Sequence, residues 1–141
     1  MPTHPLLSSP SEWLKRQGQA KASRGALVPV VLVTLEHCPY CKLLIREQLI
    51  PRMKEGHPQL RVLEFDLSDT TPIETRGPLS KVNAKLWARE HRFRLAPTLV
   101  AVNPDLKPIG DPLLGYSSPD FYSAYLEDLI LAAQAAWRQN L

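Results

Sequence analysis

The sequence predicts a single α/β domain: a central mixed sheet of about three to five strands, helices on both of its faces and an additional long helix at the N-terminus. A chain of 141 residues with 44% hydrophobic content can bury one substantial core and suits one domain better than two. Helical and strand patterns alternate along it, in the order α, β, α, β, α, β, a short β and α. Most of its fourteen prolines fall between the apolar segments, where they punctuate loops and helix starts.

Ser9-Pro10-Ser11-Glu12 reads as a helix start, with Ser9 as N-cap, Pro10 in the first helical position and Glu12 placed to complete a capping box. That helix is expected to run to about Gly25, so that residues 1–27 form a tail and helix packed on a domain of residues 28–141. Val30-Val31-Leu32-Val33-Thr34-Leu35 is continuous, apolar and β-branched, which suits a strand covered on both faces. It ends directly before a cysteine pair. From Pro39, residues Leu43, Leu44, Ile45, Leu49 and Ile50 recur at helical spacing, and Pro51 is expected to kink or terminate that helix. Arg61 to Leu67 alternates imperfectly with period two, a strand presenting Val62 and Phe65 or their neighbours to the core. After a Ser/Thr/Pro/Gly-bearing loop from Ser68 to Pro78, Leu79, Val82, Leu86 and Trp87 mark a third helix ending near His91. Thr98 to Val102 is the next strand, Asn103-Pro104-Asp105 a turn, and Pro108 to Leu114 a weak short strand. Ser118-Pro119-Asp120 opens a last helix carrying Phe121, Tyr125, Leu129 and Ile130.

Composition narrows the function classes. The formal charge of +3 and pI near 9.0 come from interspersed acids and bases, with no block of like charge to mark a nucleic-acid or membrane partner. The apolar stretch from Ala26 to Leu35 is interrupted by Pro29 and falls short of the roughly 18 residues that mark a membrane span. Met1 to Pro10 shows no basic n-region followed by an apolar h-region, so no secretory signal is visible. Trp13, Trp87 and Trp137 fall in separate helices and read as packing residues.

The chemistry concentrates in Cys38 and Cys41, the only cysteines. Two cysteines placed at random in such a chain would have this spacing in roughly one case in seventy. The first turn of a helix carries unpaired N–H groups and a partial positive potential, which stabilise a thiolate and lower the pKa of Cys38. Cys38 is therefore the expected nucleophile. Cys41 lies on the same helical face one turn deeper, close enough to close a disulfide, and is the expected resolving thiol. A closed zinc site is disfavoured, because His4, His37, His57 and His91 are scattered and form no second ligand pair. A purely structural disulfide is disfavoured too, since closing so small a loop contributes little chain-entropy stabilisation. His37, if protonated, would favour the thiolate, with Glu36 tuning its charge; the alternative is a surface residue that fills the slot. Lys42, Arg89, Arg92 and Arg94 read first as solvated helix-end residues, with acidic-substrate docking as the competing reading for the arginines.

Residues 31 to 42, Val-Leu-Val-Thr-Leu-Glu-His-Cys-Pro-Tyr-Cys-Lys, resemble the active-site strand and helix of the thioredoxin superfamily, and the Cys-Pro-Tyr-Cys tetrad resembles that of glutaredoxins. Phe93 to Val100 is similar to the segment in which that superfamily places its cis-proline. The resemblance implies a thioredoxin fold, a redox-active Cys38/Cys41 pair supported by His37, Pro39 and Tyr40, and a cis-Pro97 packed against the disulfide. A cis bond there would free the backbone of Ala96, with Pro97, to bind an extended substrate segment. Leu114-Gly115-Tyr116 and the helix opening Ser-Pro-Asp-Phe-Tyr are similar to the final glycine and helix of the same proteins. The likeness spans about residues 28 to 131 by order of elements. Phe-Tyr-x-x-Tyr-Leu-Glu at residues 121 to 127 also resembles small thioredoxin-like proteins of bacterial envelopes, including those of sulfur oxidation.

Departures bear on mechanism. Typical thioredoxins have tryptophan before the first cysteine, glycine after it and a buried acid on the preceding strand; here His37, Pro39 and Leu32 stand in those places. The Thr-Val before the cis-proline and the Asp-bearing turn of glutaredoxins are missing, so glutathione binding does not carry over. The expected function is thiol-disulfide exchange in cell redox homeostasis, without cofactor or metal. Expected partners are protein or small-thiol disulfides and an electron donor or acceptor the sequence does not name, acting on a monomer that binds no nucleic acid and enters no membrane. The alternatives are a thiol-carrier or binding module of a sulfur-compound pathway and a glutathione-dependent oxidoreductase. For the compartment, the resemblance favours the periplasm and the lack of a visible signal favours the cytoplasm.

Overall fold

The computed structural model describes residues 3–15, 28–73, 83–103 and 106–139. Four helices and four strands are named here in chain order: α1 Pro10–Lys15, β1 Val28–Thr34, α2 Pro39–Leu44, β2 Leu60–Asp66, α3 Ala84–Glu90, β3 Thr98–Val102, β4 Pro108–Leu114 and α4 Pro119–Gln139. Their order is the one the sequence predicts. The expected extension of α1 to Gly25, residues Leu79 and Val82, the Pro104-Asp105 turn and the side chains of Trp13 and Trp137 lie outside the described residues.

The sheet is mixed, in the order β2-β1-β3-β4. β1 pairs in parallel with β2, from Val28 opposite Leu60 to Thr34 opposite Asp66, and antiparallel with β3, from Val30 opposite Ala101 to Val33 opposite Thr98. Every residue of β1 is buried, as an apolar β-branched strand between two neighbours requires. Pro29 sits beyond the β3 ladder, where the strand is paired on one side only and a missing N–H is tolerated. β4 forms one outer edge, with Pro108 and Pro112 in it. At the other edge Ser8 bridges β2, its N–H donating to Val62 O at 3.0 Å and its carbonyl accepting from Glu64 N at 2.9 Å.

Each face of the sheet carries a core. On one face Val30, Leu32 and Val62 pack with Leu44 of α2, with Leu49 of the helical segment that follows it, and with Leu126 and Ile130 of α4. On the other, Val31, Leu63 and Phe65 pack with Trp87 and Ala88 of α3. β2 is thus buried on both faces, which is why its alternation reads imperfectly. Trp87 stacks obliquely on Phe65 at 4.5 Å and donates its Nε1–H to Leu106 O at 2.8 Å, so its indole is satisfied inside the core.

Three expectations are corrected. The helix entered at Pro39 does not end at Pro51: the helical run passes through π-turns at Ile45–Leu49 and Arg52–Gly56. The first widens the ladder so that Ile50 N–H reaches Ile45 O, and Pro51 keeps helical angles of φ −58 and ψ −38. α3 begins at Ala84, because Asn83 is extended and accepts from Leu86 N at 2.8 Å as the N-cap, and Leu86 itself is exposed. In α4 the buried row is Tyr122, Leu126, Leu129, Ile130 and Ala133, while Phe121 and Tyr125 are 71% and 59% exposed.

Candidate active site

β1 delivers the chain to Leu35, Glu36 and His37, all exposed, and α2 begins two residues later. The reversal is made by His37 at φ 59, in the left-handed region. Cys38 then stands as the extended N-cap of α2, with Pro39 in the first turn. Its Sγ accepts from the backbone N–H of Cys41 at 3.2 Å, as a capping side chain does. Cys38 and Cys41 are joined as a disulfide with Cα atoms 5.3 Å apart. The two sulfurs differ in environment: Cys38 is half-buried, and Cys41 is 3% exposed.

Around the pair, Pro39, Tyr40 and Lys42 face solvent. The His37 and Glu36 side chains, 88% and 72% exposed, approach to 3.5 Å, a contact that water and salt screen heavily. The Ala96–Pro97 peptide bond is cis. Because Val33 pairs with Thr98, that bond lies at the end of the sheet where β1 hands over to the disulfide. Pro97 is buried and Ala96 half-buried; Pro97 O accepts from Gly115 N at 2.8 Å, fixing the turn before α4 against it. Gly115 has φ 72, a conformation that glycine takes without strain. Arg89, Arg92 and Arg94 are exposed around the end of α3, and none of them lines the recess at the disulfide.

Two polar groupings were not read from the sequence. A recess of about 260 Å³ behind the disulfide brings Glu64 and Asp66 of β2 together with Thr34, Lys42 and both cysteines. The signal was in β2, whose α2-side face changes from Leu60 and Val62 to Glu64 and Asp66. A second network ties the helical run to α4: Tyr116 O–H donates to Glu47 at 2.9 Å, Gln48 donates to Tyr116 at 3.1 Å, and Arg52 donates to Gln48 and to Glu127, both at 2.7 Å. His57 meets the other Glu127 oxygen at 2.8 Å. Burial pushes the Glu127 carboxyl up, but hydrogen bonds from His57 and Arg52 outweigh it and hold the group below its ordinary value. Burial likewise raises the phenols of Tyr116 and Tyr122.

No protein-family model matches the sequence, and no curated protein matches it significantly. Solved structures do match. Thioredoxin O2 of Arabidopsis thaliana in its oxidised state is 18% identical, with 88% of this chain and 91% of that one covered at a TM-score of 0.54. The C-terminal domain of Neisseria meningitidis DsbD, oxidised, is 16% identical over 88% and 98% of the two chains, at a TM-score of 0.56. A poplar thioredoxin h is 14% identical over 84% and 88%, at 0.54. With the mixed sheet, the flanking helices and a disulfide opening α2, these likenesses identify the architecture: the chain has the thioredoxin fold.

Proposed function

We propose that the protein is a thiol-disulfide oxidoreductase cycling Cys38 and Cys41 between dithiol and disulfide. The carrying observation is the asymmetry of the pair: Cys38 is partly accessible at a helix N-cap and receives a backbone N–H, and Cys41 is buried behind it. An accessible sulfur stabilised as thiolate attacks; a buried neighbour resolves. In the reducing direction Cys38 thiolate attacks one sulfur of a substrate disulfide, whose other sulfur leaves as a thiolate and takes up a proton. Cys41 thiolate then bonds to Cys38 Sγ, the mixed disulfide breaks, and the substrate has gained two electrons at the expense of the pair. Ala96 and cis-Pro97 serve as the backbone rest for an extended protein substrate, with His37, Pro39 and Tyr40 flanking the disulfide. The reverse sequence oxidises. A Pro-Tyr insert resembles centres more oxidising than Gly-Pro.

Insulin reduction with dithiothreitol tests the reading: catalysis above the uncatalysed rate is expected, and Cys38→Ser is expected to abolish it. Reduced Cys38 is expected to be alkylated with a pKa below the about 8.5 of free cysteine. A protein whose own pair cycles while insulin reduction stays uncatalysed would be a thiol carrier instead; glutathione-coupled activity surviving Cys41→Ser would indicate a glutathione-dependent enzyme. No helix among the described residues is long and apolar enough to cross a membrane. A periplasmic setting is supported by the sequence resemblance to envelope proteins and is tested by cell fractionation.

A further inference from the structure

Buried Cys41 must lose a proton before it can attack, and burial of a thiol opposes that loss. Leu32, in β1 ahead of the pair, is fully buried and offers no acceptor. Directly across the parallel ladder, however, Leu32 pairs with Glu64 and Thr34 with Asp66, and paired residues share a face. That face is apolar at Leu60 and Val62, in the core beneath the active-site helix. It turns acidic where β1 ends, in the recess that both cysteines line.

Glu64 is held there from two sides. Thr34 Oγ1 donates to its Oε2 at 2.8 Å, and Thr3 of the N-terminal segment donates from both its backbone N–H and its Oγ1. The other ionisable groups facing the recess are Glu36 and His37 from the loop, Lys42 from α2 and Asp66 from β2, with His4 beside Lys42 in the adjoining groove. Asp66 accepts from the Ser68 N–H at 2.8 Å and from the Ser68 hydroxyl. Glu36 stands out in solvent. Glu64 is the recess carboxylate tied to two other segments of the chain, whereas the Asp66 carboxylate is held by nearby Ser68, and the volume of about 260 Å³ has room for a water relay.

We propose that Glu64 is the positioning residue that takes up the Cys41 proton through this recess, and that Thr3 and Thr34 hold it in place. The assignment rests on the thiol-exchange reading. In the mixed disulfide the Cys41 proton passes through water to the Glu64 carboxylate, and Cys41 thiolate bonds to Cys38 Sγ. The bond from Cys38 to the substrate sulfur breaks, and the departing thiolate receives the proton back from Glu64 by way of solvent.

The test is single-turnover release of nitrothiobenzoate from a mixed disulfide preformed on Cys38 of the full chain. This reaction needs only the two cysteines, so a protein inactive toward insulin can still report on Glu64. Glu64→Gln is expected to slow release by at least about tenfold near neutral pH, the deficit narrowing as pH rises and hydroxide takes over removal of the Cys41 proton. Glu64→Asp is expected to restore part of the rate. Identical pH profiles for wild type and Glu64→Gln, or a larger effect from Asp66→Asn, would overturn the assignment. Should Glu64→Gln lose its cooperative thermal transition, the Thr3→Ala/Thr34→Val double variant provides the same reading: slowed release supports the assignment, and an unchanged profile refutes it.

Discussion

His37 shows how much one backbone angle asks of a residue. At φ 59 it occupies a region that costs most L-residues about 1–2 kcal/mol, and its side chain, almost wholly in solvent, recovers little of that. His37→Val is therefore expected to lower unfolding stability in urea by about 1–2 kcal/mol, and His37→Gly to stay within about 0.5 kcal/mol of wild type. Equal stability of the two variants would show that the loop relaxes. The cysteines were legible because their spacing, the preceding apolar run and the following proline all lie within one short stretch of chain. Glu64 was only half legible: β2 shows its face turning acidic, but the approach of Glu64 to the pair depends on the register between two strands separated by a helix.

At the scale of elements, sequence pattern placed each strand to within about two residues and, in α4, picked out buried Leu129 and Ile130 but chose exposed aromatics for the first turns. In α4 two pairs offer the same spacing, Phe121 with Tyr125 and Tyr122 with Leu126, and periodicity alone does not choose between them. Packing chooses the second: Tyr122 stands edge-on to Tyr116 at 4.9 Å, and Leu126 is fully buried. Leu126→Ala is accordingly expected to cost about 2–5 kcal/mol in chemical denaturation, and Phe121→Ser about 0.5 kcal/mol or less. The reverse ranking would mean that α4 is rotated. Pro51 teaches a related lesson, since its effect on a helix depends on whether the ladder around it has already widened, which local sequence pattern does not reveal.

At the scale of the molecule, the network from Arg52 and His57 to Glu127 joins the segment after α2 to α4. A carboxyl held below its ordinary 4.5 contributes stability that is fully present above that value and is lost as pH falls through the lower folded-state value. Unfolding stability followed between about pH 6 and pH 3 is thus expected to fall less steeply in Glu127→Gln than in wild type. Parallel profiles would remove Glu127 from the acid response. The two margins of the sheet have a consequence for the protein in concentrated solution. Pro108 and Pro112 withhold backbone donors along β4, and the Ser8 bridge occupies donors and acceptors on the far side of β2. Strand addition by a second copy is thus hindered along both rims of the described sheet, while half-buried Cys38, at the end of β1, stays within reach of a visiting chain.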